Sequence, residues 1–539
     1  MSNLQDFNNI YADLAESAYT GKRPNNFPPK SNKNTSQYFN FSKPVTKNIG
    51  TEKKPVYQTT QGGTTLPNKG VVYLQPAIKD PDAKNVYTGQ GGAVDALAKN
   101  MEAKSVFDNT STGFQSYFVT DTAKPKDATQ AYLAIRGSDA ASLQNMNDWT
   151  GNNLPFAVGS KEMPQAKDAT KAMKAVLKEL PKNTKLEITG HSLGTMVSVQ
   201  GVAQLVKDDP SALKRIGKLV LFDGPDCTQS LKKMGLSEDQ IKKIGKLVTY
   251  YVNPLDIVSM LNRTAPIKEQ FGTVQYVVPL DFGTTFDKIS AHDFGEFQLD
   301  ANGNPLVASK DFHPEFLEAG EKLATLESTA LKQLKALGLS DSAASTLLSL
   351  ATSGHPLRKG TEGYAIIAQF QSDYADLIKN TRRQSKNWDT AHIPDLQRQI
   401  SHATTSGQRI SLRAELLDTV AQDAVFQAED YRSKVKDLVS KAKEDIKQEI
   451  QSTREAAYDI AAYLSPYEID ELLNTFQFSD VWSDAIEDET KKAADNYQKE
   501  VEQFSATLLK VSQNIQDTDK EKASDFTKNL KNVQQDWGK

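Results

Sequence analysis

The chain is 539 residues long, 38% hydrophobic and 24% charged, with a net charge of -4 and a single cysteine, Cys227. That length carries roughly two to four domains and a sizeable core, while the near-balanced charge gives no basis for a nucleic-acid partner or for electrostatic docking on a membrane. One cysteine excludes an internal disulfide framework, and a mean hydropathy of -0.54 predicts a long polar, helical portion averaged with a more ordinary domain.

Leu4, Phe7, Ile10, Tyr11, Leu14 and Tyr19 fall at helical spacing and predict an amphipathic first helix. The beginning of the chain lacks a basic stretch followed by an apolar core, and no apolar run is long enough to span a bilayer, so any export is expected to use a route without a cleaved signal peptide. From Lys22 to about Gly70 the composition of Asn, Lys, Thr, Pro and Gly predicts a long surface excursion with at most short strands. A short helical pattern follows over 94–101, and then 114–119 and 131–135 read as strands. The second ends in Arg136-Gly137-Ser138-Asp139, with Asn147-Asp148-Trp149 a few residues on, and 167–180 is helical in pattern.

Residues 185–200, KLEITGHSLGTMVSVQ, organise the whole. A short apolar-alternating run meets Gly190-His191-Ser192-Leu193-Gly194 and continues at helical spacing, which predicts a sharp strand-to-helix turn with Ser192 exposed at its tip. Behind it come a helix over 196–206 and a strand over 218–222 that ends in Asp223-Gly224-Pro225-Asp226. Then follow a strand over 247–252 leading to Asn253-Pro254-Leu255-Asp256, a strand over 274–279, His292 in a Ser-Ala-His-Asp sequence, and a run over 294–299. Strands alternating with helices predict an α/β domain with a mainly parallel sheet.

At about Phe312 strand-like runs cease and Glu, Lys, Gln, Ala, Ser and Leu take over to the end of the chain. This predicts two domains, 1–311 and 312–539, the second all-helical and elongated. Val435, Leu438, Ala442, Ile446 and Ile450, and again Val501, Phe504, Leu508, Val511 and Ile515, recur at threes and fours. Such stripes either pack on one another as a bundle or offer a seam to a partner helix.

A serine hydroxyl is a weak nucleophile at neutral pH and needs a base, an orienting acid and oxyanion donors. In doubly wound hydrolases these follow in the order Ser, Asp or Glu, His, and here Ser192, Asp256 and His292 keep that order. His292 would take the Ser192 proton and return it to the leaving alcohol, with Asp256 fixing its tautomer. The Leu193 N–H and the stretch after the strand ending at Ile135, which contains Ser138, are the expected oxyanion donors. Asp223 or Asp226 competes for the role of acid and His313 for that of base; Asp256 has a rival reading as a helix cap. His191, beside the nucleophile, is expected to pack or hydrogen-bond within the turn, and His355, His392 and His402 to lie on the surface. No cluster has metal-ligand spacing, so neither a catalytic metal nor another cofactor is expected.

Ala134-Ile135-Arg136-Gly137-Ser138, Asn147-Asp148-Trp149, Gly190-His191-Ser192-Leu193-Gly194 and Asp256-Ile257-Val258 resemble, in order, the successive motifs of the class 3 lipases. The resemblance covers roughly the first 310 residues and implies an α/β-hydrolase acting on acylglycerol or phospholipid esters, with Ser192 as nucleophile, Asp256 as acid and Ser138 completing the oxyanion hole. Thr195 stands where the family often has a second glycine, and Thr150-Gly151-Asn152-Asn153 replaces the usual apolar residue and aspartate. The remainder resembles, in architecture and composition, the helical LXG-type domains of type VII-secreted toxins, here placed after the enzyme. That second resemblance implies signal-peptide-independent secretion from a Gram-positive bacterium, small helical partner proteins on the carboxy-terminal domain and an immunity protein; the membrane-lipid substrate is implied by the first. The rival expectations are a soluble-substrate carboxylesterase and a non-catalytic interaction protein in which the helical half is the functional part.

Overall fold

The structure is a computed structural model. It describes residues 10–19, 27–28, 35–43, 46–48, 57–59, 67–81, 105–109, 111–137, 162–279, 292, 305–340, 343–344, 347–348, 360, 363–461, 463–474, 476–505, 507–508 and 511. Ser138, residues 147–149, and the runs predicted over 94–101 and 294–299 lie outside these. Contacts divide the chain into two compact units, Met1–Ser385 and Lys386–Lys539.

The first unit is built on a nine-stranded mixed sheet. Its strands are β1 (Gln37–Asn40), β4 (Val71–Leu74), β5 (Asp108–Asn109), β6 (Phe114–Thr120), β7 (Ala131–Ile135), β8 (Leu186–His191), β9 (Ile216–Phe222), β10 (Val248–Val252) and β11 (Thr273–Tyr276), while β2 (Thr46–Asn48) and β3 (Tyr57–Thr59) pair separately. The order is β1-β4-β6-β7-β8-β9-β10-β11, with β5 on β6. Pairs from β7 through β11 are parallel and the rest antiparallel. β7, Ala-Tyr-Leu-Ala-Ile, is buried along its whole length, as expected of a central strand covered on both faces.

Helix α1 (Ile10–Ser17) covers one face of the sheet. Its Ile10 and Leu14 pack with Val72, Tyr117 and Tyr132, and its Ala12 and Ala15 with Val220 and Phe222. Tyr11 Oη donates to Glu187 Oε2 at 2.5 Å. The helix predicted by its spacing is thus present, and it is buried on almost every side, Asp13 and Glu16 included. Helices α2 (Gln165–Glu179) and α3 (Leu193–Asp208) pack against each other and against β8 from the face that Leu186 and Ile188 line by alternation. The connections to β10 and β11 carry the short helices α4 (Thr228–Lys233), α5 (Glu238–Gly245) and α6 (Ile257–Met260). α5 begins with a reciprocal capping box between Ser237 and Gln240.

Two further expectations meet added detail in the structure. The stretch from Lys22 to Gly70, predicted as a surface excursion with at most short strands, supplies the short edge strand β1 and also two core aromatics, Phe27 and Phe41. Apolar residues spaced that far apart leave no periodic signal, so their burial comes from the sheet edge they cover. The compositional change near Phe312 and the division between units at Ser385 also fall at different places. Helix α7 (Glu315–Ala336) and the start of α8 (Tyr364–His402) belong to the first unit. Gly320 explains how closely α7 lies: a Cβ there would come 2.5 Å from the Tyr276 ring of β11.

Cys227 is buried beside Tyr250, with its sulfur 3.6 Å from the phenolic oxygen, and burial pushes the thiol up to about 12. The second unit contains α9 (Ser406–Ile460), α10 (Pro466–Leu473), α11 (Phe478–Val481) and a further helix over 484–505. The last runs back along α9, tied by Lys443 to Glu487 at 2.7 Å, Lys436 to Asp495 at 2.9 Å and Ser505 Oγ donating to Ala421 O at 2.6 Å. Of the predicted stripes, Leu438 and Phe504 stay 66% and 57% exposed. Among the described residues no helix is long and apolar enough to cross a membrane.

Candidate active site

Parallel strands gather the residues that follow them at one edge of the sheet. The registers Ile135 to Gly190, His191 to Phe222, and Phe222 to Tyr251 set the ends of β7, β8, β9 and β10 side by side. Ser192, Asp223 and Asp256 thus emerge along one edge.

Ser192 joins β8 to α3 with φ 56° and ψ −126°, a region that costs a non-glycine residue about 1–3 kcal/mol. Its surroundings hold it there. Ser192 N donates to Phe222 O at 3.0 Å, and a side chain on Gly194 would collide with the Ile135 carbonyl, so α3 starts directly against the end of β7. Thr195 fits because Gly224 faces it: a Cβ on Gly224 would overlap the Thr195 side chain, whose hydroxyl donates to Ser192 O at 2.7 Å.

Ser192 Oγ lies 2.7 Å from His292 Nε2, and His292 Nδ1 lies 2.7 Å from Asp256 Oδ2. The three residues are 5%, 3% and 2% exposed, so Ser192 is buried at the turn rather than exposed as its sequence predicts. Asp256 also caps α6, accepting from Val258 N at 3.0 Å and Ser259 N at 2.9 Å, and takes the Ser259 hydroxyl as well. The cap and the partner of His292 are therefore one carboxylate, and the cap fixes its direction. With Nδ1 donating to Asp256, His292 Nε2 is the acceptor for the Ser192 proton. Leu193 is the first residue of α3, so its N–H is among those without an intrahelical acceptor. Ser138, the other predicted oxyanion residue, lies outside the described residues.

Of the rivals, Asp226 and His313 are engaged elsewhere, while Asp223 stays at the site without bonding to His292. Asp226 accepts from Thr228 N at 2.8 Å and Phe271 N at 3.2 Å, which ties two connections together. His313 Nδ1 pairs with Glu315 Oε1 at 2.7 Å at the start of α7. His191 stacks on His292 with ring centroids 5.3 Å apart. Its Nδ1 meets Tyr19 Oη at 2.7 Å, and its Nε2 is 3.9 Å from Asp223 Oδ2. His402 is exposed and His392 partly so, while His355 lies outside the described residues. No family model, curated protein or solved structure matches the chain.

Two further carboxyls face Asp256: Asp223, which the sequence offered as a rival acid, and Glu327, which it did not place in the site. Asp223 holds a left-handed φ of 49°, and its Oδ1 accepts from Asn253 N at 2.9 Å. Burial, then repulsion from Asp256, raises its carboxyl well above the usual carboxylate range. Glu327, on α7, is 1% exposed, and neither oxygen has a hydrogen-bond partner among the described residues. Burial first and Asp256 second raise it in the same way. Both thus favour the neutral acid more than a free carboxyl does, beside an Asp256 that collects four hydrogen bonds. Glu327 had one signal in the sequence: it occupies an apolar position in the stripe Phe316, Leu323, Ala324, Ala330 and Leu334.

Glu327 sets a pH dependence of stability whose sign is fixed. The unfolded chain releases this proton near pH ~4.3, whereas the folded chain keeps it. Stability from this residue is therefore complete below that pH and falls as pH rises through the window above it, by up to about 1.4 kcal/mol per unit. Glu327→Gln is expected to resist denaturant better than wild type at neutral pH and to lose that advantage toward pH ~4, measured by urea unfolding followed by circular dichroism. An advantage that stays constant across pH would mean that Glu327 does not titrate between the two states.

Among the described residues no group of three or more His, Cys, Asp and Glu is arranged to hold a metal ion. A groove of about 670 Å³ between α7 and α8, lined by Glu318, Glu321, Asp373 and Asp376 among others, contains none of Ser192, His292 or Asp256.

Proposed function

We propose that the protein is a serine ester hydrolase of the class 3 lipase kind, with an α/β-hydrolase fold, acting on acyl esters of membrane lipids in the manner of a phospholipase A. The observation that carries this reading is the unbroken chain from Ser192 Oγ to His292 Nε2 and from His292 Nδ1 to Asp256, each link 2.7 Å. His292 takes the hydroxyl proton as Ser192 Oγ attacks the acyl carbon, and Asp256 stabilises the imidazolium so formed. The oxyanion is met by the Leu193 N–H and, by the motif resemblance, by Ser138. Collapse of this intermediate breaks the ester bond, His292 protonates the departing alcohol, and water, deprotonated by the same imidazole, releases the fatty acid from the acyl-enzyme.

The lipid substrate, secretion through a type VII system of a Gram-positive bacterium, small helical partners along the carboxy-terminal helices and a protecting immunity protein belong to the same proposal. They rest on the motif and composition resemblances, and the exposed Leu438 and Phe504 of the second unit are compatible with a partner there. The test is fatty-acid release from vesicles of mixed phospholipid and neutral lipid, with short-chain soluble esters in parallel and Ser192→Ala as control. Release from vesicles that disappears in the variant is the expected result. Turnover of soluble esters alone would make the protein a carboxylesterase, and a folded chain inert on every ester would leave the helical half as its functional part.

A further inference from the structure

Asp256 sits in a short connection tied locally by Asn253 Oδ1, which accepts from Leu255 N at 3.0 Å, and by Asp256 N, which donates to Asn253 O at 3.1 Å; Asn253 N also donates to Asp223 Oδ1 at the end of β9, at 2.9 Å. A further anchor comes from much farther along the chain. Tyr374, on α8, donates its hydroxyl to Leu255 O at 2.7 Å, and both residues are buried. The acceptor is the carbonyl of the peptide that immediately precedes Asp256, so a shift there redirects the Cα–Cβ bond that aims the carboxylate at His292. α7 packs on α6, the helix that Asp256 caps, and Gly320 seats α7 directly on β11.

We propose that Tyr374 is a positioning residue for Asp256, so that the helices over 315–385, which composition groups with the carboxy-terminal half, belong to the catalytic machinery. This rests on Ser192, His292 and Asp256 working as a triad. The argument is one of tolerance. A displacement on the order of 1 Å in a group that orients a catalytic base costs about 100-fold in rate, and a side chain is held that tightly only when its own support is fixed. Within its loop Asp256 is fixed by α6 on one side; on the other, Asp223 holds Asn253 and Tyr374 holds the peptide directly before Asp256.

The test compares wild type and Tyr374→Phe as full-length chains, on a soluble chromogenic ester and by proton spectroscopy of the hydrogen between His292 and Asp256, assigned by its absence in His292→Ala. The variant is expected to lose about 10-fold in kcat with KM within about twofold. The acid limb of its kcat/KM profile should move to lower pH, because an imidazolium less well held by Asp256 gives up its proton more readily, and the low-field resonance should move upfield. A purely structural tyrosine would lower thermal stability and leave the limb and the resonance in place, which would overturn the proposal. If the phenylalanine variant does not fold, 3-fluorotyrosine at 374 keeps the shape and strengthens the donor. An unmoved resonance there would count against the proposal in the same way. The resonance needs no turnover, so a wild type inert on esters would sink the hydrolase reading while still deciding the role of Tyr374.

Discussion

Ser192→Ala and His292→Ala are each expected to lower kcat on a soluble ester by on the order of 10⁶, and Asp256→Asn by about 10⁴. The ranking follows from the roles. Without Ser192 Oγ no acyl-enzyme forms, and without His292 no group accepts the hydroxyl proton; without the charge of Asp256 the base remains but loses its orientation and its counter-ion. The three act as one unit, so Ser192→Ala combined with His292→Ala should be no slower than Ser192→Ala alone. Steady-state kinetics on purified variants, with folding checked by circular dichroism, measures both effects. Multiplying losses in the double variant, or a Ser192→Ala enzyme with a tenth of wild-type activity, would place the chemistry elsewhere.

Arg263→Met is expected to cost about 3–5 kcal/mol of stability, although Arg263 touches none of the three triad side chains. Its guanidinium is almost fully buried, at 1% exposure. Nε donates to Ser259 O at 2.8 Å, Nη2 to Gly224 O at 2.7 Å and Nη1 to Gln270 Oε1 at 3.0 Å. The group also lies over the Tyr250 ring, 4.7 Å from its centroid. It therefore clamps the connection after β9 to the one after β10, which carries Asp256. Methionine matches much of the volume and regains apolar burial, but it leaves two buried carbonyls without these donors, each worth about 1–3 kcal/mol, and removes the contact of cation with ring. Arg263→Lys should recover little, since an ammonium cannot reach three acceptors in one plane. Urea unfolding followed by circular dichroism gives the figure, and a loss below about 1 kcal/mol would show that the clamp is dispensable.

What the sequence made legible has a common physical character. The turn at Ser192 announces itself because a left-handed serine needs small neighbours within two residues, and Gly190 and Gly194 are local in the chain. The alternation of strand and helix from Ala131 to Tyr276 is likewise a local pattern, and chain order put Asp256 and His292 forward while leaving Asp223, Asp226 and His313 as rivals. Glu327 shows locally as a charge in an apolar stripe but not as a neighbour of Asp256, whereas Arg263 and Tyr374 act across longer intervals, 39 residues to Gly224 in one case and 119 to Leu255 in the other, and nothing in a local window marks them. The same holds for Phe27 and Phe41, whose burial depends on the edge strand they cover. Asp256 shows a different limit: cap and triad partner looked like alternatives in one dimension and are a single carboxylate in three.

The lone thiol of Cys227, deep beside Tyr250 and pushed up to about 12, leaves the protein chemically silent toward maleimides at neutral pH. A cysteine substituted for the fully exposed Tyr463 would then be the only reactive thiol in the molecule, and a fluorophore placed there could follow the carboxy-terminal helices through encounter with another protein without first replacing Cys227.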